Sequence, residues 1–242
     1  RKRFRKGHNG NRSSNEKLGL GFIANNHRTI HLEMVLPTDV EVDIIIPVHN
    51  SEKTLRETLD SALGQQDIGS DCTKRKITVY VCCHDDASTD QSLEILEEYQ
   101  TRYKDKSLKN GSDTAIETHF LVSKSLDAVS RGAGYARNRA VDLRAGSTGE
   151  RCFLCMLDSD DIMHPLRIAE QVAFMMGLPS DDERDRALLG TQFSRDPPDA
   201  TWHYASWANN LPDERLYLER FREVTLIQPL SLIHISEPTR RY

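Results

Sequence analysis

Three carboxylates, Asp158, Asp160 and Asp161, crowd within four positions at the end of an apolar run, in "CFLCMLDSDDIMHP" (Cys152–Pro165). Acids this close repel one another, so the arrangement is costly unless positive charge sits among them. An Asp-x-Asp behind an apolar strand suits a hard divalent cation, Mg²⁺ or Mn²⁺. Such ions take a few carboxylates and complete their shell with water and phosphate oxygens. The bland alternative is a solvated acidic turn. Other polar side chains gather in the same way, His49 and Asn50 behind "VDIIIPV", Asp85 and Asp86 behind "KITVYVCCH".

The elements that must position these residues alternate. "VDIIIPVHN" (Val42–Asn50) is a β-branched apolar run, the pattern of a strand buried on both faces. Ser51 is placed to cap the helix that follows, with Leu55, Leu59, Ala62 and Leu63 on one face and Gly64 at its end. "KITVYVCC" (Lys76–Cys83) is a second strand, followed by a helix carrying Leu93, Leu96, Tyr99 and Tyr103, for which Ser88 and Asp90 are candidate caps. "IETHFLV" (Ile116–Val122) is a third strand, "GAGYARNRAVDLRAG" a small-residue helix, "CFLCML" a fourth strand, and "PLRIAEQVAFMMG" a helix with Pro165 in its first turn. Strand then helix four times over predicts an α/β, mostly parallel sheet with helices on both faces. Sheets of that kind bind ligands beyond the carboxyl ends of their strands, where the polar residues collect. Beyond Gly190 a segment with paired prolines and aromatics breaks the alternation. A strand at "ALLGTQF" and a charged helix, "DERLYLERFREV", flank it.

The 242 residues carry 32 Lys and Arg against 37 Asp and Glu, a net charge of −5, which gives no basic field for nucleic acid. The exception is the opening "RKRFRK", read with the polar residues behind it as a solvated tail over 1–35. No run reaches the ~18 apolar residues of a membrane span. Cys72, Cys82, Cys83, Cys152 and Cys155 make an odd count, mostly in apolar runs, which predicts buried free thiols in a reducing compartment. The Cys152–Cys155 pair falls on opposite faces of a strand and has no second pair, so zinc and redox readings are weak.

In this order, "IIIPVHN", "HDDASTDQSLEI", "GAGYARNRAV" and "FLCMLDSDDIMHPLRI" resemble glycosyltransferase family 2, across roughly Val42 to Ala173. The resemblance implies the GT-A nucleotide-diphospho-sugar transferase fold, Rossmann-like, and a metal-dependent inverting transfer from a UDP-sugar. It implies that Asp86 accepts from the uracil N3–H, that Asp158 lies near the ribose, and that Asp160, with Asp158, ligates Mn²⁺ or Mg²⁺. Pro47, His49, Asn50, Asp85 and Arg137 would line the nucleotide-sugar pocket. His49 stands where the family often has an aromatic. Haloacid-dehalogenase phosphatases also use Asp-x-Asp, but usually on their first strand and before a threonine, whereas Asp161 and Ile162 follow here. A nucleotidyltransferase of the same fold would need a basic phosphate-gripping loop after the first strand, and "HNSEKTL" offers only Lys53.

A narrower resemblance, carried by "RGAGYARNRAV", "FLCMLDSDDIMHP" and "RDPPDATWHYASWANNLPDERL", is to a soluble animal branch of the family. It implies a cytoplasmic enzyme that moves GlcNAc or galactose to a glycan or to tRNA-borne queuosine. Trp202, Tyr204 and Trp207 are then a platform for a sugar or base, or packing beneath a loop. "LSLIHISEPTR" (Leu230–Arg240) resembles the in-frame translation of a transposase-type sequencing adapter, which predicts a transferase domain over 36–229 and sets 230–242 outside the fold. Arg1 in place of Met and the tail after Pro229 predict a longer natural chain. Its general base would lie in the missing C-terminal part, since Glu214 and Glu219 sit on the charged helix as surface residues. An inactive nucleotide-sugar-binding fragment is the alternative.

Overall fold

Valine and isoleucine dominate β1 (Asp39–Val48), and every residue from Val42 to Val48 is buried. Branched side chains suit a pleated surface, and burial on both faces marks the middle of a parallel sheet. The computed structural model describes residues 39–66, 76–104, 116–145, 152–197, 199–212, 215 and 232–235. The basic tail, Cys72, Glu214 and Glu219 lie outside the described residues.

Strands β2 (Lys76–Asp85), β3 (Ile116–Lys124) and β4 (Cys152–Met156) join β1 in parallel, and with the short β5 (Leu188–Leu189) and β6 (Leu232–Ile235) the sheet order is β3-β2-β1-β4-β6-β5. β1 pairs with β2 from Asp39↔Lys76 to Val48↔Asp85 and with β4 from Glu41↔Cys152 to Ile45↔Met156. The chain therefore leaves β1 for β2 on one side and returns through β4 on the other. That reversal opens a crevice at the carboxyl ends of β1 and β4.

The period of two divides the core. Val42, Ile44, Ile46, Val79, Val81, Phe153 and Cys155 share one cluster with α1 (Leu55–Leu63), α2 (Ser92–Lys104) and α4 (Arg167–Met176). Ile45, Cys82 and Leu154 form a second with Ala140 of α3 (Ala133–Asp142) on the opposite face. One charge lies in this second layer. Asp43, 3% exposed, meets Arg144 Nε at 3.3 Å, while the same guanidinium bonds Glu41 at 2.5 Å and lies 3.4 Å from the centre of the Tyr80 ring. Cys82, Cys83 and Cys155 are buried thiols, as expected, and burial pushes the Cys83 and Cys155 thiols up.

Three expectations change. Helix α1 begins at Leu55, not after Ser51, because the Ser51 hydroxyl is engaged across the loop with Ser159 Oγ at 2.7 Å. The segment after Gly190 holds a helix, α5 (Trp202–Asn209), while the strand at "ALLGTQF" shortens to β5 (Leu188–Leu189). Within Leu230–Tyr242, set outside the fold above, Leu232–Ile235 forms β6, antiparallel to β4 and β5. The edge of β4 away from β1 offers unpaired backbone groups, and main-chain pairing accepts an extended apolar segment of almost any sequence. Among the described residues, no helix is long and apolar enough to cross a membrane.

Candidate functional site

The crevice is a cleft of about 760 Å³, walled by the β1–α1 loop, the start of α3 and the loop after β4. Pro47, His49, Asn50, Asp86, Arg137, Asp158 and Asp160 line it, together with Ser51, Lys53, Thr54, Ser130, Gly132 and Ser159. Seven of the eight residues singled out from sequence thus converge. Asp85 is not among the lining residues. It is 2% exposed, and its Oδ2 accepts the Ser88 backbone N–H at 3.1 Å, which ties the turn after β2.

Asp158, Asp160 and Asp161 follow β4, and each offers an oxygen within 4.8 Å of the others. Hard oxygen donors in that number and spacing fit Mg²⁺ or Mn²⁺. One counter-charge comes from the protein, since Arg137 on α3 reaches Asp158 Oδ1 at 2.6 Å. Asp160 is exposed. Asp161 is half-buried, and burial, then repulsion from Asp160 and Asp158, pushes its carboxyl up. Arg195 and Arg167 pull the other way.

Asp86, 1% exposed, is the hub of the opposite wall. Its Oδ2 accepts from Ser130 Oγ at 2.8 Å and from the backbone N–H groups of Arg131 and Gly132 at 2.7 Å each; Ser125 Oγ donates to Oδ1 at 3.3 Å. Burial pushes this carboxyl up, but the four hydrogen bonds outweigh it and hold the group below the usual carboxylate range. The fastened loop ends at Gly132, whose φ of 89° and ψ of 168° suit only glycine, and α3 starts there. Asp86 therefore fixes where Arg137 stands.

His49 Nδ1 lies 2.8 Å from the Asp86 carbonyl oxygen. A carbonyl only accepts, so Nδ1 carries the proton, and Asn50 Nδ2 donates to Nε2 at 3.2 Å. Asn50, at φ 51°, closes the loop by accepting the Thr89 N–H on Oδ1 at 2.8 Å. Asp90 serves both loops, accepting the Ser92 N–H at 2.9 Å near the start of α2 and the Glu52 N–H at 3.0 Å. Lys53 is the one basic residue that the β1–α1 loop gives the cleft.

Three features escaped the sequence reading. Ser130 and Gly132 hold Asp86, and Ser159, between the two predicted ligands, is tied to α1. The signal for the last was present, since Thr54, Thr58, Ser61 and Gln65 recur at helical spacing beside the apolar face. The aromatic platform does not form at the cleft. Tyr204 and Trp207 pack with Phe193, Ala208 and Leu211 in a separate cluster, and Trp202 is 55% exposed.

The model of the family Glycosyl transferase family 2 matches residues 43–233. Among curated proteins, the poly(ribitol-phosphate) beta-glucosyltransferase of Bacillus spizizenii is 31% identical over 122 residues, covering 50% of this chain and 15% of its own. The poly(ribitol-phosphate) beta-N-acetylglucosaminyltransferase TarS of Staphylococcus aureus is 30% identical over 136 residues, 56% of this chain and 19% of its own. A solved structure of S. aureus TarS residues 1–349 with UDP-GlcNAc aligns over 80% of this chain and 45% of that one, at 23% identity and a TM-score of 0.43. The chain thus spans less than a fifth of the length of these two curated relatives.

Proposed function

The chain belongs to glycosyl transferase family 2, and on that premise we propose that it transfers a hexose from a UDP-sugar to an acceptor hydroxyl with inversion. The observation that carries the reading is the acidic cluster at the carboxyl end of β4, paired with Arg137 in a cleft at the reversal of strand order.

Asp158 and Asp160, with Asp161 behind them, would hold Mn²⁺ or Mg²⁺. Bound there, such an ion supplies positive charge to the diphosphate of the leaving nucleotide. The chain's own residues do the rest of the binding. Arg137, already within 2.6 Å of Asp158, brings a second positive charge to the same side. Asp86 would read the base through Oδ1, because three donors already occupy Oδ2. His49, with its tautomer set by the Asp86 carbonyl, offers a ring face to the base, and Pro47 and Asn50 shape the floor and mouth.

Of the two sugars that the narrower sequence resemblance implies, N-acetylglucosamine and galactose, we favour the first, in line with the name of the TarS relative. The acceptor is a hydroxyl on a glycan or on tRNA-borne queuosine, and the enzyme works in the cytoplasm, consistent with its buried thiols. The general base is expected outside the described residues.

Calorimetry tests the reading. UDP should bind with Mn²⁺ present and lose most of its affinity with chelator or in Asp160→Ala. Equal affinity with and without the ion refutes the assignment of the acidic cluster. Release of UDP from UDP-GlcNAc on adding acceptor would establish transfer.

A further inference from the structure

We propose that helix α1 sets the geometry of the acidic loop through a stripe of hydroxyl and amide side chains, and that Thr58 is a positioning residue for divalent-ion binding. The inference rests on the reading of Asp158 and Asp160 as ion ligands given above.

The contacts form one continuous seam. Thr54 Oγ1 and Thr58 Oγ1 both donate to the Ser159 carbonyl, at 2.9 and 3.0 Å. One turn on, Ser61 Oγ accepts the Met163 N–H at 3.0 Å. Gln65 Nε2 then donates to the His164 carbonyl at 3.1 Å, and its Oε1 accepts the Ile168 N–H at 3.1 Å. Finally, the Gln66 N–H donates to the Pro165 carbonyl at 2.8 Å. Thr58 and Ser61 lie on α1, Thr54 just before it and Gln65 just past its end, so the four recur at helical spacing, about a quarter-turn from the apolar residues Leu55, Leu59 and Ala62. The loop is therefore grasped by its backbone, and the side chains of Asp158 and Asp160 are left to line the cleft.

The hold point matters because of what it separates. Ser159 lies between Asp158 and Asp160, whose mutual repulsion favours an opened loop whenever no cation is bound. Two hydroxyls on one carbonyl oppose that opening. Thr58 is fully buried on a helix fixed in the main core, so its hydroxyl has no competing water. A loop already closed spares the cation the cost of ordering its ligands, the general advantage of preorganisation.

A merely structural role makes a different prediction, since it changes stability without changing ion affinity. The test uses the full chain and Mn²⁺ alone, with free Mn²⁺ followed by electron paramagnetic resonance and melting temperature measured alongside. Thr58→Val, nearly isosteric, should weaken Mn²⁺ binding by about fivefold, and Thr54→Val with Thr58→Val by about 30-fold, the loss of one and two typical hydrogen bonds. Thr58→Ser restores the hydroxyl and should stay within about twofold of the parent. If the double variant does not fold, Thr58→Val against Thr58→Ser carries the comparison. A parent chain that binds Mn²⁺ as tightly as its folded valine variants overturns the inference alone. A parent chain that binds no Mn²⁺, though folded, overturns it together with the reading beneath it.

Discussion

Replacing Asp86 by asparagine separates the loop fastening seen for this side chain from the base reading proposed for it. Three donors converge on Oδ2, from Ser130, Arg131 and Gly132, so the amide must place its carbonyl oxygen there and its NH₂ at the Oδ1 position. Ser125 Oγ, near Oδ1, can accept from that NH₂. The loop then keeps its hydrogen bonds but loses their charge assistance. Bonds to a charged acceptor exceed neutral ones by up to about 1 kcal/mol each, so about 2 kcal/mol of stability should be lost. For a domain of this size that lowers the melting temperature by roughly 4–8 °C. The base contact changes in kind. Where a carboxylate accepts from uracil N3–H, the amide presents a donor, which uracil cannot meet and cytosine N3 can. One mismatched buried group costs about 1–3 kcal/mol, so UDP should weaken by roughly 5- to 150-fold while CDP gains. Competition between UDP and CDP for the parent and the variant measures this directly. If the melting temperature falls as expected and the preference for UDP persists, Asp86 is a loop clamp and reads no base. If neither quantity moves, the hydrogen bonds assigned to it do not form.

Other parts of the fold give further expectations. Arg144→Met keeps the apolar stem but takes the positive charge from buried Asp43 and from Glu41; a loss of about 3 kcal/mol is expected, and chemical denaturation that shows under 1 kcal/mol would count against the pair. Gly132→Ala meets no atom within 4 Å of its new Cβ, so the whole effect is backbone strain, about 1–3 kcal/mol of stability or a shifted α3 with weakened UDP binding. His84 has a lowered pKa, chiefly from burial and also from Arg139, although Asp86 and Asp85 oppose this. The unfolded chain therefore takes up a proton, near pH 6.5, that the folded chain resists. Stability should fall as the pH drops below about 6.5, and His84→Gln should flatten that slope between pH 7 and 5.5. An unchanged slope would assign the loss to other groups.

The sequence by itself determined the order of elements and the rim on which chemistry sits. Period-two burial and β-branched runs are local signals, and they placed four strands and the helices behind them. Polar residues that end such runs must emerge at one edge of a parallel sheet, so His49, Asn50, Asp86, Asp158 and Asp160 could be grouped before any distance was known. Local signals stop where hydrogen bonds cross the chain. Ser51 has the chemistry of a helix cap, but Ser159, 108 residues away, claims its hydroxyl. Asp85 and Asp86 are adjacent and chemically alike, yet the turn after β2 buries one in its own backbone and aims the other at a loop about 45 residues on. The aromatics after Gly190 have the composition of a platform, but Tyr204 and Trp207 instead remove apolar area from water against Phe193 and Leu211. Even the acids needed tertiary structure to explain them, because their counter-charge, Arg137, and the hydroxyls that hold their loop arrive on α3 and α1. Composition can require that repulsion be relieved. Only the packing of those helices decides by what.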